Sequence, residues 1–211
     1  MKKSGRMLSM LLAVAVMLSF AIQPAFAATN TYDEENRAIS MDGMDQFMKL
    51  TDSGTIQFDT AGALNAGYSE KSVAAVSTQI DGMNQLVVNG NASIDDTFTA
   101  TVYFMGTRAK GQSKVVTHWY GLTEVYMNSD EAAELIANLS TVGDATTIAG
   151  LVGFLPGPIA GAISGISGIL GFGTMVYRWQ VEAAAKPGNG IIMNIQTNFT
   201  DGTQSIWFTS Q

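Results

Sequence analysis

His118 is the single histidine of this chain and sits in "VVTHWYG", with Trp119 and Tyr120 directly after it. One imidazole can act as a general base, a metal ligand or a pH-sensitive charge, but each role needs partners. A metal centre wants several His, Cys or carboxylate ligands at fixed spacing, and the chain has no cysteine and no such cluster. A nucleophilic triad would need a serine and an aspartate brought in by the fold, and no nucleophile elbow is present. Asp95-Asp96 and the carboxylates of residues 33–45 lack calcium-loop spacing. "GAISGISG" lacks the lysine of a phosphate loop and lies inside a helical pattern. The expectation is no catalytic residue, no metal and no cofactor, with a structural or interfacial role for His118. His118, Trp119, Tyr120 and Trp207 together are candidates for a binding face.

The remaining chemistry is that of burial. From Ala145 to Tyr177, 33 residues pass without a charge, and eight of them are glycine. Such a stretch must be buried in the protein's own core, in a partner or in a bilayer. Gly157, Gly161 and Gly165 stand four apart, with Ala160, Ser164 and Gly168 as a second small row. Residues four apart share a helix face, so another helix backbone can approach closely there, as in membrane helix pairs. Ile159, Ile163, Ile166, Ile169 and Leu170 lie on the other side. One reading folds this stretch into a soluble domain; the other inserts it into a membrane, with Tyr177, Arg178 and Trp179 at the interface. On the insertion reading, Gly161→Leu abolishes membrane permeabilisation and leaves secretion intact.

The elements that position these residues follow from periodicity. Residues 1–27 read as a signal peptide: basic Lys2, Lys3 and Arg6, an apolar run from Met7 to Ile22, and small Ala25 and Ala27 before the cut. Its removal takes three of the 11 basic residues and none of the 18 acidic ones, which leaves eight against 18, a net charge of −10. That balance excludes nucleic acid and disfavours electrostatic capture by anionic lipid. Without cysteine the exported chain relies on packing for stability, and residues 28–211 suit one domain.

Met41, Met44, Phe47 and Met48 are spaced for a short helix ending near Asp52-Ser53-Gly54, and "TIQFDT" for a strand. A helix capped by Ser69 carries Val73, Val76, Ile80, Met83 and Val87, and stops at Asn89-Gly90-Asn91. From Thr97 the period changes to two, "GTRAKGQS" reads as a turn, and Lys114–Met127 returns as one or two strands bent at Gly121. A helix begins at Asn128-Ser129, with Asp130, Glu131 and Glu134 at the positive end of its dipole. It is predicted to run on to a Pro156-Gly157-Pro158 corner, and a second helix from there to Ala185, forming an apolar hairpin over 131–185. Residues 190–211 flank Asp201-Gly202 as a β-hairpin.

"HWYGLTEVYMNS" (118–129), the Gly- and Ala-rich apolar stretch, "GNGIIMNI" (188–195) and "IWFTSQ" (206–211) resemble a loose group of small exported proteins of Gram-positive bacteria. The resemblance covers residues 110–211, with Tyr120 where that group has a second tryptophan. Some members look bacteriocin-like, which implies membrane activity; no catalytic residue carries over. The expected fold is α+β: a small, mainly antiparallel sheet packed on a Gly-rich apolar helical hairpin, with one or two further helices. The leading expectation is a secreted bacteriocin-like or toxin-like protein that acts on a target-cell membrane and self-associates there as a homo-oligomer. The alternative is a non-lytic extracellular or cell-surface protein that binds an envelope receptor and keeps the hairpin as permanent core. Its location is extracellular, with cell-wall or membrane association open.

Overall fold

The computed structural model describes residues 41, 43–104, 109–143, 145–166, 175–199 and 201–211. The expected signal peptide, Arg108, Gly168, Ile169 and Leu170 lie outside the described residues. The described elements belong to one unit, Ala38–Gln211.

A 3₁₀ turn at Met44–Phe47 leads into strand β1 (Met48–Leu50), paired antiparallel with β2 (Ile56–Phe58). The single helix expected over Met41–Met48 is therefore only one turn long. One turn already buries Met44, and extension from Met48 buries that side chain while its backbone pairs with Phe58. Helix α1 (Thr60–Asn65) precedes α2 (Glu70–Val88), which starts where its sequence predicts: Ser69 Oγ accepts from the Ser72 amide at 3.1 Å. Its stripe of Val73, Val76, Ile80 and Met83 is buried against Met44, Met48, Ile56, Ile94, Ala100 and Phe199.

Strands β3 (Ser93–Ile94), β4 (Thr99–Tyr103), β5 (Lys114–His118) and β6 (Leu122–Met127) follow, then α3 (Ser129–Thr141). Asn128 caps α3 by accepting from the amides of Asp130 and Glu131, and Glu131 accepts in return from the Asn128 amide at 2.8 Å. Next come β7 (Ala145–Thr147), α4 (Ile148–Val152), α5 (Gly157–Gly165), β8 (Met175–Tyr177) and α6 (Arg178–Ala185). The hairpin β9 (Ile191–Thr197) and β10 (Gln204–Ser210) completes a six-stranded antiparallel sheet in the order β10-β9-β6-β5-β4-β3. The fold is α+β. Strands β6 and β9 are neighbours, so the whole stretch from α3 to α6 is an excursion between two paired strands.

That excursion corrects the expected hairpin of two long helices over 131–185. Thr146 and Thr147 leave the helical path to pair with Val176 and Met175, and Thr147 Oγ1 then caps α4 by accepting from the Gly150 amide at 3.2 Å. β-Branched threonines lose rotamer freedom in a helix and hydrogen-bond readily at its start, so they end one element and open the next. Pro156 and Pro158 enforce a second break, and Ile166 is extended after α5. The helices α4, α5 and α6 contain five, nine and eight residues. Among the described residues, no helix is long and apolar enough to cross a membrane.

The isoleucine side of α5 is nonetheless core. Ile159 and Ile163 are 1 % and 0 % exposed, and pack with Ile148, Leu151, Val176 and Val181 onto Val115, Val125, Met193 and Ile195 of the sheet. The close helix contact expected of the glycine row is not made at Gly157 or Gly161. Gly157 and Gly161 are exposed, and a Cβ built on either would meet open space.

One residue ties the strand ends together. The Gln211 side-chain amide donates to the carbonyls of Gln112 (3.0 Å), Met127 (2.8 Å) and Ile191 (3.2 Å), and its oxygen accepts from the Gln112 amide at 2.7 Å. Gly190 and Gly111 make room for it. Both have positive φ (97° and 94°), and a Cβ on Gly190 would run into Met127 O. Gln211→Ala removes both donors and the acceptor while β10 remains. We expect the urea midpoint to fall by the equivalent of about 1–3 kcal/mol; an unchanged midpoint would show that the clip is incidental.

Candidate functional site

Strand alternation divides the sheet into two faces. Val102, Val115, Val125, Met127, Met193 and Ile195 face the helices and are buried. The registers place the opposite side chains in three rows. Thr99 and His118 share the first row, followed by Leu122, Gln196 and Ser205. Thr101, Val116, Glu124, Asn194 and Trp207 form the second, and Tyr103, Lys114, Tyr126, Ile192 and Thr209 the third.

His118 stands at the centre of the polar part of this face. Its Nδ1 is 3.1 Å from Thr99 Oγ1 and its Nε2 3.3 Å from Glu124 Oε2. The ring stacks on Tyr120, with centroids 4.9 Å apart and planes 22° apart. Behind it, the buried Gln79 of α2 donates from Nε2 to the His118 carbonyl at 3.2 Å. Glu124 also accepts from Tyr126 Oη at 3.4 Å, and the Lys114 ammonium lies 4.4 Å from the centre of the Tyr126 ring. Burial, then the nearby Glu124 charge, push the Tyr120 and Tyr126 hydroxyls above the ordinary phenol range; for Tyr126 the hydrogen bond to Glu124 adds to this. Both phenols therefore stay protonated as donors.

The hydroxyl–imidazole–carboxylate chain Thr99–His118–Glu124 has the ingredients of a nucleophilic relay. Its geometry orients the ring instead: Thr99 is 8 % exposed, and its hydroxyl also lies 3.0 Å from that of Thr97. Thr99 is itself placed by a strained turn. Phe98 has φ 56°, unfavourable for a bulky side chain, and is held there by packing on the α2 core and by Asp95. Asp95 Oδ1 accepts from the Thr97 amide (3.0 Å), the Thr97 hydroxyl (2.6 Å) and the Thr99 amide (3.0 Å).

The structure thus brings His118, Tyr120 and Trp207 to one side of the sheet, with Asn194 standing between Glu124 and Trp207 in the register. Trp119 does not join them. Half-buried, it packs against the α2 core and meets Tyr120 edge-on with ring centres 5.8 Å apart, because the turn after β5 sends successive side chains to opposite sides. Sequence reasoning missed Thr99, Lys114, Glu124 and Tyr126. The signal was the β5–β6 hairpin: a turn at Gly121 sets Val116 opposite Glu124 and Lys114 opposite Tyr126.

The other sequence candidates lie elsewhere. Tyr177 and Trp179 are 44 % and 65 % exposed, at the junction of β8 and α6, and Arg178 Nε is 3.4 Å from Glu182 Oε1. Gly161, with Pro158 and Ala162, borders an open cleft of about 500 Å³ whose far side includes Gln85, Asn89, Val102 and Phe104. Gly157 lies on the same helix, Gly165 is its last residue, and Gly168 falls outside the described residues. Among the described residues, no group of three or more His, Cys, Asp or Glu could hold a metal ion.

Compared with known proteins, the chain matches no family model, no curated protein and no solved structure.

Two carboxylates give the sheet edges an acid response. On Asp95 burial acts upward, but the Thr97 hydroxyl, the Thr97 and Thr99 amides and the nearby His118 outweigh it and hold the carboxyl below its usual range. On Asp201 the Thr203 hydroxyl and amide do the same. A folded pKa below the unfolded one adds stability above the unfolded value of 3.8, lost as pH falls through the folded value. The Asp95→Asn, Asp201→Asn double variant should therefore be less stable than the parent at pH 6, the two melting curves converging below about pH 4. Equal melting temperatures at pH 6 would show that the carboxylate charge adds nothing at these turns.

Proposed function

We propose that this chain is a non-lytic extracellular binding protein, and that the outer sheet face is its binding surface. The observation that carries this reading is the joint arrangement of Tyr103, Tyr120, Tyr126 and Trp207 around the His118–Glu124 pair on a face that no described helix covers. Aromatic rings present apolar area at little entropic cost and keep a polar edge for hydrogen bonding. With Thr101, Gln196 and Thr209 between them, they suit a ligand that alternates apolar ring faces with hydroxyl or amide groups, such as an envelope polysaccharide. Residues 1–27 supply the export signal on this reading, and the net charge of −10 keeps the protein off nucleic acid.

The buried side chains of the 145–177 stretch, Ile148, Leu151, Ile159, Ile163 and Val176 among them, are then permanent core. Withdrawing Ile148, Ile159, Ile163 and Val176 would strip the apolar cover from Val115, Val125 and Met193. A second reading, attachment to a lipid surface without insertion, is supported by Met175, Tyr177 and Trp179, which are all exposed within five residues.

Three measurements on the purified protein separate these readings: binding to insoluble envelope polysaccharide, co-sedimentation with vesicles, and dye release from them. We expect polysaccharide binding that Trp207→Ala and Tyr120→Ala each weaken about tenfold, with no dye release. Vesicle binding without leakage, lost in Trp179→Ala, would favour surface attachment. The exposed Gly161 tolerates substitution, so dye release that Gly161→Leu abolishes would restore the insertion reading.

A further inference from the structure

The two edges of the sheet are unlike. Strand β3 is two residues long, whereas β10 runs for seven, from Gln204 to Ser210, without a charge, a proline or a bulge. Natural sheets blunt long edges with such features, because an open row of N–H and C=O groups is a template for another strand. From Gly188 to Gln211, Asp201 is the only charged residue, in a chain that otherwise carries a strong negative excess. This edge is where two copies can approach without repulsion.

We infer that β10 pairs antiparallel with β10 of a second copy about a two-fold axis at Trp207, joining the two sheets into one. The ladder sets the register. The Asn198 amide donates to Thr203 O (2.8 Å) and the Gln211 amide to Gly190 O (3.2 Å), so alternate residues from 203 to 211 turn their backbone groups toward β9. Ile206, Phe208 and Ser210 turn theirs to the open edge, where no described residue meets them. A two-fold axis at Trp207 sets Ile206 against Phe208 of the partner subunit as a hydrogen-bonded pair.

The side chains suit this register. Trp207 meets Trp207 of the partner subunit in a non-hydrogen-bonded pair, where cross-strand aromatic contact is closest. Ser205 comes opposite Thr209 of the partner subunit. On the other face, a cleft of about 510 Å³ opens between β10 and α6, lined by Trp179, Ala183, Ala184, Pro187 and Phe208. It receives the inward-facing apolar side chains of the added strand, and the exposed Trp179 closes over them. The pairing is isologous, so it ends at two copies. It stands whether or not the outer face binds a polysaccharide.

Sedimentation velocity of the full chain tests it. The parent should sediment as a dimer in the micromolar range. Ser205 and Thr209 are exposed and point away from the core, so substitution leaves the monomer fold intact. Ser205→Lys with Thr209→Lys sets like charges across the axis and should give a monomer. Ser205→Lys with Thr209→Glu sets opposite charges there and should restore the dimer. Hydrogen exchange gives a second readout: the Ile206 and Phe208 amides should gain protection in the parent as concentration rises. A parent that stays monomeric, a double-lysine variant that stays dimeric, or a mixed-charge variant that stays monomeric would each overturn the inference.

Discussion

The inner face of the six-stranded sheet must be covered, and the covering chain has to come from between two of its own neighbouring strands. Val115, Val125, Met127, Met193 and Ile195 form an apolar surface that a lone sheet could not keep in water. Strands β6 and β9 are hydrogen-bonded neighbours, yet about 60 residues separate them along the chain. Those residues supply Leu135, Leu139, Ile148, Leu151, Ile159, Ile163, Val176 and Val181, all of them essentially inaccessible to solvent. Sheet and excursion are therefore one cooperative unit. The β6–β9 ladder brings the two ends of the excursion together, and the excursion's buried side chains pack on the sheet and on Leu86 of α2.

This constraint explains how a chain segment without charge can be built of short pieces. A lone lipid-exposed helix must satisfy its backbone internally, which breaks in the helix would prevent. A covering layer on a sheet needs only to present apolar side chains at the right heights, and turns cost little where water or side chains can reach the backbone. Thr147 caps one break, while Pro156 and Pro158 pre-set another. Glycine in α5 then falls on the side that faces the cleft, where small size is tolerated rather than required.

The opposite face of the sheet shows how a polar cluster is kept ordered without a core. His118 is held from three sides, by Thr99, by Glu124 and by the stacked Tyr120 ring. The strain at Phe98 belongs to the same arrangement, since the turn that forces its positive φ also sets the height of Thr99. At the far end of the sheet, Gln211 performs a comparable task through its amide alone, holding the loop before β5 to the ends of β6 and β9.

Local rules determined a good deal of this protein from sequence alone. Ser69 and Asn128 open helices because a short polar side chain must satisfy the first free amides. The period-two pattern from Thr99 to Tyr103, the turn at Gly121 and the Asp201-Gly202 signal yield the strands because each is a property of adjacent residues. The α+β class follows from their sum. Other features depended on the tertiary structure. Periodicity tells which side chains share a face, but not what lies against that face. Gly157, Gly161 and Ile163 are thus legible as two sides of one helix, while only the packed fold decides that the isoleucine side is buried and the glycine side open. Likewise, nothing within 118–126 says that Thr99 flanks His118. That neighbourhood exists because three strands, brought together by burial of their other face, fix a register between residues far apart in the chain.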